Sequence, residues 1–92
     1  MIMSFACKDA EQLFMQGRNR RFAAIARPAL RRLNILNAVV SLEELRASPG
    51  NRLEALFGDR AGQHSIRVND KWRICFIWKD GHVHDVTIVD YH

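Results

Sequence analysis

The sequence ends on Asp90-Tyr91-His92, a carboxylate, a phenol and an imidazole in three successive residues. Acid-base chemistry at neutral pH requires a group titrating near 7, and histidine is the side chain whose unperturbed pKa lies there. A chain end frays and is inert unless something holds it, so the reading depends on a strand leading directly into the tripeptide. A second constellation is cationic: Arg67 and Arg73 fall on adjacent predicted strands, with Lys71 between them and Arg60 just ahead. Such bases form one phosphate-binding cluster if they share a face, and an ordinary solvated surface if they do not. Arg73 stands apart, because its strand is otherwise apolar and a charge there needs a partner or a ligand. His82 and His84 form an H-x-H pair on one strand face, but no recognisable ligand pattern accompanies them and no metal is assigned. Residues 58–62 carry two glycines without the G-x-G-x-x-G spacing, and read as a turn.

The elements that must position these residues divide the chain in two. Residues 8–16 place Ala10, Leu13 and Phe14 at helical spacing, with Gly17 as a natural stop. From Arg20 onwards Phe22, Ile25, Ala29, Leu33, Leu36 and Val40 form one apolar stripe of three- and four-residue steps. Pro28 interrupts it, which predicts either a kink or a fresh helix with Pro28 at its first position. After Ser48-Pro49-Gly50 the period changes to two. Trp72, Ile74, Phe76 and Trp78 alternate with Arg73, Cys75 and Ile77, a strand with an aromatic face towards a core and Arg73 on the other side. Asp80-Gly81 predicts a tight hairpin turn into a strand over 83–90, and Asn69-Asp70 a turn from a preceding strand over 64–69. Residues 1–6 and 53–57 are candidates for further strands. The expectation is one α+β domain over residues 1–92, an antiparallel sheet with the amino-terminal helices on one face and the other face partly open.

Composition agrees with a small globular domain. Of the 92 residues, 48% are hydrophobic and 26% charged, which excludes disordered and collagen-like chains. A chain this long supports one core without metal or disulfide staples, and leaves no room for a cofactor domain. Its longest apolar runs, 22–26 and 74–78, are far too short to span a membrane or form a secretory leader, which points to a cytoplasmic protein. Cys7 and Cys75 lie far apart and read as reduced core residues. The net charge of +4 sits in the first half: Arg18, Arg20, Arg21, Arg27, Arg31 and Arg32 occur with no acid between Gln12 and Leu42. That stretch reads equally as a nucleic-acid contact, a docking surface for an acidic protein, or a solvated face.

Several motifs taken together are more specific than any of these. Leu56-Phe57-Gly58-Asp59-Arg60-Ala61-Gly62, Ser65-Ile66-Arg67-Val68, Trp72-Arg73-Ile74-Cys75-Phe76 and Asp90-Tyr91-His92 occur in order. The sequence thereby resembles the HigB branch of the RelE/ParE bacterial toxins over essentially its whole length. The resemblance implies the toxin of a type II toxin–antitoxin pair, acting as a ribosome-dependent, metal-independent mRNA endonuclease (mRNA interferase) without a cofactor. It implies a helix-turn-helix, HigA-like antitoxin as partner, with operator DNA reached only through that antitoxin, and the ribosome and mRNA as targets, with no membrane involved. Carried over by motif position, Arg73 would stabilise phosphate charge, His92 would exchange the proton, Tyr91 would stack or orient, and Asp90 would position its neighbours. Arg60, Arg67 and Lys71 would hold RNA.

The chain departs from the family pattern at three places. Phe57 stands where members often carry lysine, His64 where a Tyr or Trp is common, and Glu54 where some carry histidine. Loss of a cation and an imidazole implies a slower or milder nuclease. Two rivals share the fold: a ParE-like toxin that poisons gyrase by contact alone, and a toxin that binds ribosomes or interferes with their assembly. Neither needs Arg73 or the Asp90-Tyr91-His92 end for chemistry.

Overall fold

A computed structural model describes residues 1–90, so Tyr91 and His92 lie outside the described residues. Three helices precede four strands: α1 (Lys8–Gln16), α2 (Ala26–Ala38), α3 (Leu42–Ala47), β1 (Glu54–Ala55), β2 (His64–Arg67), β3 (Trp72–Lys79) and β4 (His82–Asp90). The strands form one antiparallel sheet in the order β1-β2-β3-β4. This is the α+β architecture that the change of period predicts.

Local chemistry sets the boundaries. Gly17 ends α1 in the left-handed conformation, φ 78°, and its N–H returns to the Leu13 carbonyl at 2.8 Å. Pro28 neither kinks α2 nor starts it. A short 3-10 turn over Ala23–Ile25 leads into α2, and Pro28 falls in its first turn, where a missing N–H leaves no bond unmade. Ser41 caps α3 by accepting from the Glu44 N–H, while the Glu44 carboxylate accepts from Val40 N at 2.9 Å. Asp80 and Gly81 both take positive φ, 54° and 78°, the two-residue hairpin turn that Asp-Gly favours. The Asn69 side chain accepts from the N–H groups of Lys71 and Trp72, at 2.9 and 2.8 Å, and so shapes the β2–β3 turn.

The main core lies between α1, α2, α3 and the helix-facing side of the sheet. Leu13, Phe22, Ala29, Leu33, Leu36 and Leu45 meet Ile66, Ile74, Phe76, Val83, Val86 and Ile88, all buried. Trp72 packs edge-on to Phe22 with ring centroids 5.6 Å apart. Two expectations are corrected here. Val40 does not continue the stripe: α2 ends at Ala38, the backbone turns extended at Val39, and Val39 is buried while Val40 is 76% exposed. Residues 1–6 do not form a regular strand. They touch the β4 edge through isolated parallel bridges, Ile2 to Val83 and Phe5 to Val86. Between these contacts β4 bulges, with Asp85 at φ 52° and its N–H and carboxylate both bonded to the Ser4 hydroxyl. Among the described residues no helix is long and apolar enough to cross a membrane.

Candidate active site

The sheet face turned away from the helices carries Arg73 at its centre. Alternation along β3 puts Ile74 and Phe76 into the core and Arg73 and Cys75 on the opposite side. The antiparallel register sets Arg67 directly across from Arg73, Ser65 across from Cys75, and Glu54 across from Ser65, so all five share that face.

This face is less open than the sequence suggests. Arg73, Ser65 and Cys75 are buried, because the chain between α3 and β2 folds against them. Arg73 is accordingly well partnered. Its Nε donates to the Ser65 hydroxyl at 2.8 Å, its Nη2 donates to the Arg52 carbonyl at 2.6 Å and to the Ser65 carbonyl at 3.4 Å, and its Nη1 lies 3.8 Å from the Glu54 carboxylate. These contacts offset the cost of burying a guanidinium. The Cys75 thiol beside it is free of disulfide, and burial pushes its pKa up against the opposing pull of Arg60 and Arg73. Cys7 is half-buried at the edge of the main core.

The other candidate cations are arranged around this centre. Arg67 is partly exposed and ion-paired with Asp70. Arg60 sits in the short 3-10 turn Gly58–Arg60, donates to Gln63 at 3.2 Å, and is near enough to bias the Cys75 thiol. The structure thus brings Arg60, Arg67 and Arg73 to one region of the sheet. Lys71 does not join them: it leaves the β2–β3 turn towards Asp90, with Nζ 3.6 Å from its carboxylate. Asp90 stands opposite Trp72, on the alternate side of the ladder from Arg73. The adjacent rung pairs Arg73 with Val89, so β4 stays in register with β3 up to the last described residue. Tyr91 and His92 follow it outside the described residues. His82 and His84 join no third His, Cys, Asp or Glu in a group suited to a metal ion among the described residues.

Three contributors to the centre escape a reading for chemistry. Ser65 is legible only as the first residue of the Ser65-Ile66-Arg67-Val68 motif. Glu54 marks itself only as a departure from the family. Arg52 gives no signal at all, because its part is played by a backbone carbonyl. His64 is the remaining unusual group: its ring stacks on Phe76 at 6.1 Å, and its Nδ1 is buried without a hydrogen-bond partner among the described residues. Burial first, and the Arg46 charge second, lower its pKa.

Comparison with known proteins agrees with this geometry. Residues 3–92 match the HigB-like toxins, described as the RelE-like toxin of the type II toxin–antitoxin system HigB. Toxin HigB-1 of Vibrio cholerae is 39% identical over 83 residues, covering 88% of this chain and 87% of that protein. The YoeB–YefM complex from Staphylococcus aureus matches in structure with a TM-score of 0.55 at 19% identity, over 100% of this chain and 95% of that one. YafQ from E. coli matches with a TM-score of 0.50 at 15% identity, over 94% of this chain and 89% of that one. The two structural likenesses establish the shared fold, and the family match together with the Vibrio relative establishes the kinship. The chain therefore belongs to the HigB-like family and is the RelE-like toxin of a type II toxin–antitoxin system, with the mRNA interferase function of that class.

Proposed function

We propose that this toxin cuts mRNA held on the ribosome, by metal-independent general acid-base chemistry at the end of β4, with Arg73 as its main phosphate-binding cation. In the reaction an RNA 2′-hydroxyl attacks the adjacent phosphorus. Its proton is removed, a bond forms from O2′ to phosphorus, and the bond to O5′ breaks with protonation of the leaving oxygen, giving a cyclic phosphate and a 5′-hydroxyl. The protein must align the strand, accept and deliver protons, and offset the charge gathering on the phosphate oxygens.

The observation that carries this reading is the rung pairing Arg73 with Val89. It fixes the guanidinium-bearing residue beside the strand whose continuation is Asp90-Tyr91-His92. In this assignment Arg73 offsets phosphorane charge, His92 exchanges the proton, Tyr91 stacks or orients the base, and Asp90 positions its neighbours. Arg60 and Arg67 hold flanking phosphates, and Lys71 steadies Asp90 as well as RNA. The partner that restrains the toxin is a helix-turn-helix, HigA-like antitoxin, which alone contacts operator DNA. The ribosomal target places the protein in the cytoplasm.

The test is primer extension on a defined mRNA incubated with purified toxin, with and without programmed 70S ribosomes. Discrete cuts that require ribosomes, persist when transition-metal ions are chelated at constant free magnesium, and vanish with Arg73→Ala are the expected outcome. An absence of cuts at any toxin concentration would overturn it and favour a toxin acting by binding ribosomes or gyrase.

A further inference from the structure

We propose that the carbonyl of Arg52 and the hydroxyl of Ser65 are positioning groups that aim the Arg73 guanidinium at the RNA phosphate. The proposal rests on the reading of Arg73 as the phosphate-binding cation. Its starting point is backbone strain. Arg52 adopts φ 45° and ψ 56°, the left-handed region that residues with a side chain avoid, at the end of the Pro49–Asn51 turn. Strain of this kind persists only where the surroundings over-determine it, and it gathers at functional sites.

The surroundings here are specific. Asn51 is 1% exposed, donates to the Leu45 carbonyl at 3.2 Å, and accepts from Arg32 Nη1 at 2.7 Å. Arg32 reaches the turn from α2 and also donates to the Gly50 carbonyl at 3.4 Å. The helix layer thus locks the turn, and the locked turn points the Arg52 carbonyl at Arg73 Nη2. From the neighbouring strand, fully buried Ser65 takes Nε. Nε and Nη2 form one edge of the planar guanidinium, so two fixed acceptors define both its plane and its rotation. The opposite nitrogen, Nη1, is thereby directed to the half-exposed Glu54 carboxylate at 3.8 Å, and in this proposal that is the side from which it meets the phosphate. A donor fixed in advance stabilises developing charge without reorganising during the reaction, which is where such positioning raises a rate constant.

The decisive comparison is between Arg52→Gly and Arg52→Val. Both remove the same exposed side-chain charge, and only glycine accepts the left-handed conformation without cost. The measurement is single-turnover cleavage of ribosome-bound mRNA, giving a maximal rate and a half-saturating toxin concentration, alongside thermal melting. Arg52→Gly is expected to keep the maximal rate within about 3-fold of wild type, and Arg52→Val to lower it by about 10-fold or more at a similar half-saturating concentration. Ser65→Ala is expected to lower the maximal rate by about 10-fold while the protein remains folded. In an Arg73→Lys background, whose ammonium lacks the fork, neither Ser65→Ala nor Arg52→Val should reduce the residual rate by more than about 2-fold. Equal rates for Arg52→Gly and Arg52→Val, or undiminished effects in the Arg73→Lys background, would overturn the positioning role. If Arg52→Val does not fold, the cycle between Ser65→Ala and Arg73→Lys decides alone. Wild-type cleavage by Arg73→Ala itself would instead sink the underlying assignment of Arg73.

Discussion

Arg67 and Arg73 face each other across the β2–β3 ladder as direct partners, yet their surroundings are opposite. The Arg67 side chain is 34% exposed and ion-paired to Asp70 in the turn, whereas that of Arg73 is 8% exposed and bonded to Ser65 and the Arg52 carbonyl. Like charges placed opposite one another in a ladder repel, so each arginine is matched by its own carboxylate, Asp70 for one and Glu54 for the other. One is a tethered surface cation. The other is a fixed donor.

We therefore expect the two alanine variants to separate stability from binding. Arg73→Ala leaves the buried Ser65 hydroxyl and the Arg52 carbonyl without their donor, and should cost roughly 1–3 kcal/mol in urea denaturation. The same variant should lose about 100-fold or more in ribosome-dependent cleavage. Arg67→Ala should change stability by no more than about 0.5 kcal/mol, as surface ion pairs contribute little. Its effect should fall on RNA affinity, with a shallower dependence on salt.

Much of this arrangement is legible in the sequence, for identifiable reasons. The period of two along Trp72, Ile74, Phe76 and Trp78 fixes which side of the sheet Arg73 takes, because a strand offers only two sides. Asp80-Gly81 announces its own turn, because few dipeptides tolerate two positive φ angles. The stripe from Phe22 to Leu36 is equally clear. It fails at Val40 because periodicity carries no information about where a helix stops, and the Ser41 cap of α3 reorients the backbone just ahead of it. The cradle around Arg73 is legible only in part. Ser65 belongs to a family motif, but the acceptor at Arg52 is a carbonyl that every residue possesses, and its direction depends on an αL turn held by the adjacent Asn51 and, through it, by Arg32 from the distant α2.

Glu54 lies 3.8 Å from Arg73 Nη1 with half of its side chain in solvent, so a phosphate bound by Arg73 as proposed would compete with it. Glu54→Gln removes that competing charge while keeping the shape. We expect it to tighten binding of a short uncleavable RNA several-fold at low salt, with the gain shrinking as salt screens the site. Unchanged RNA affinity in a fluorescence titration would show that phosphate does not approach from this side.

His64 provides a pH dependence with a defined sign. Its pKa is lowered in the folded protein from the ordinary 6.5 by burial and by Arg46. Below about pH 6.5 the unfolded chain takes up a proton that the folded protein resists, so stability is full above that value. It declines as the pH falls through it, levelling off below the lowered folded value. His64→Phe keeps an aromatic ring over Phe76 and removes both the titration and the unpartnered Nδ1. Melting temperatures of the two proteins should therefore diverge between pH 7 and 5 in favour of His64→Phe. Parallel curves would place the acid sensitivity elsewhere.

Phe57 offers a gain of function to complement these losses. It immediately precedes the Gly58–Arg60 turn that carries Arg60, and at 86% exposure it contributes nothing to the core. A lysine there would add a mobile cation close to the arginines at negligible cost in stability, within about 0.5 kcal/mol. Since phosphate contacts add affinity with little regard to sequence, Phe57→Lys should raise cleavage at subsaturating toxin several-fold without moving the cut sites. The added cation should also steepen the fall of activity with salt. If Phe57→Lys instead cut more slowly than wild type on the same ribosomes, the exposed ring would be contributing to substrate binding, most simply by stacking on a base. Phe57→Ala distinguishes that case, because loss of a stacking platform slows cleavage whereas loss of an idle side chain leaves it unchanged.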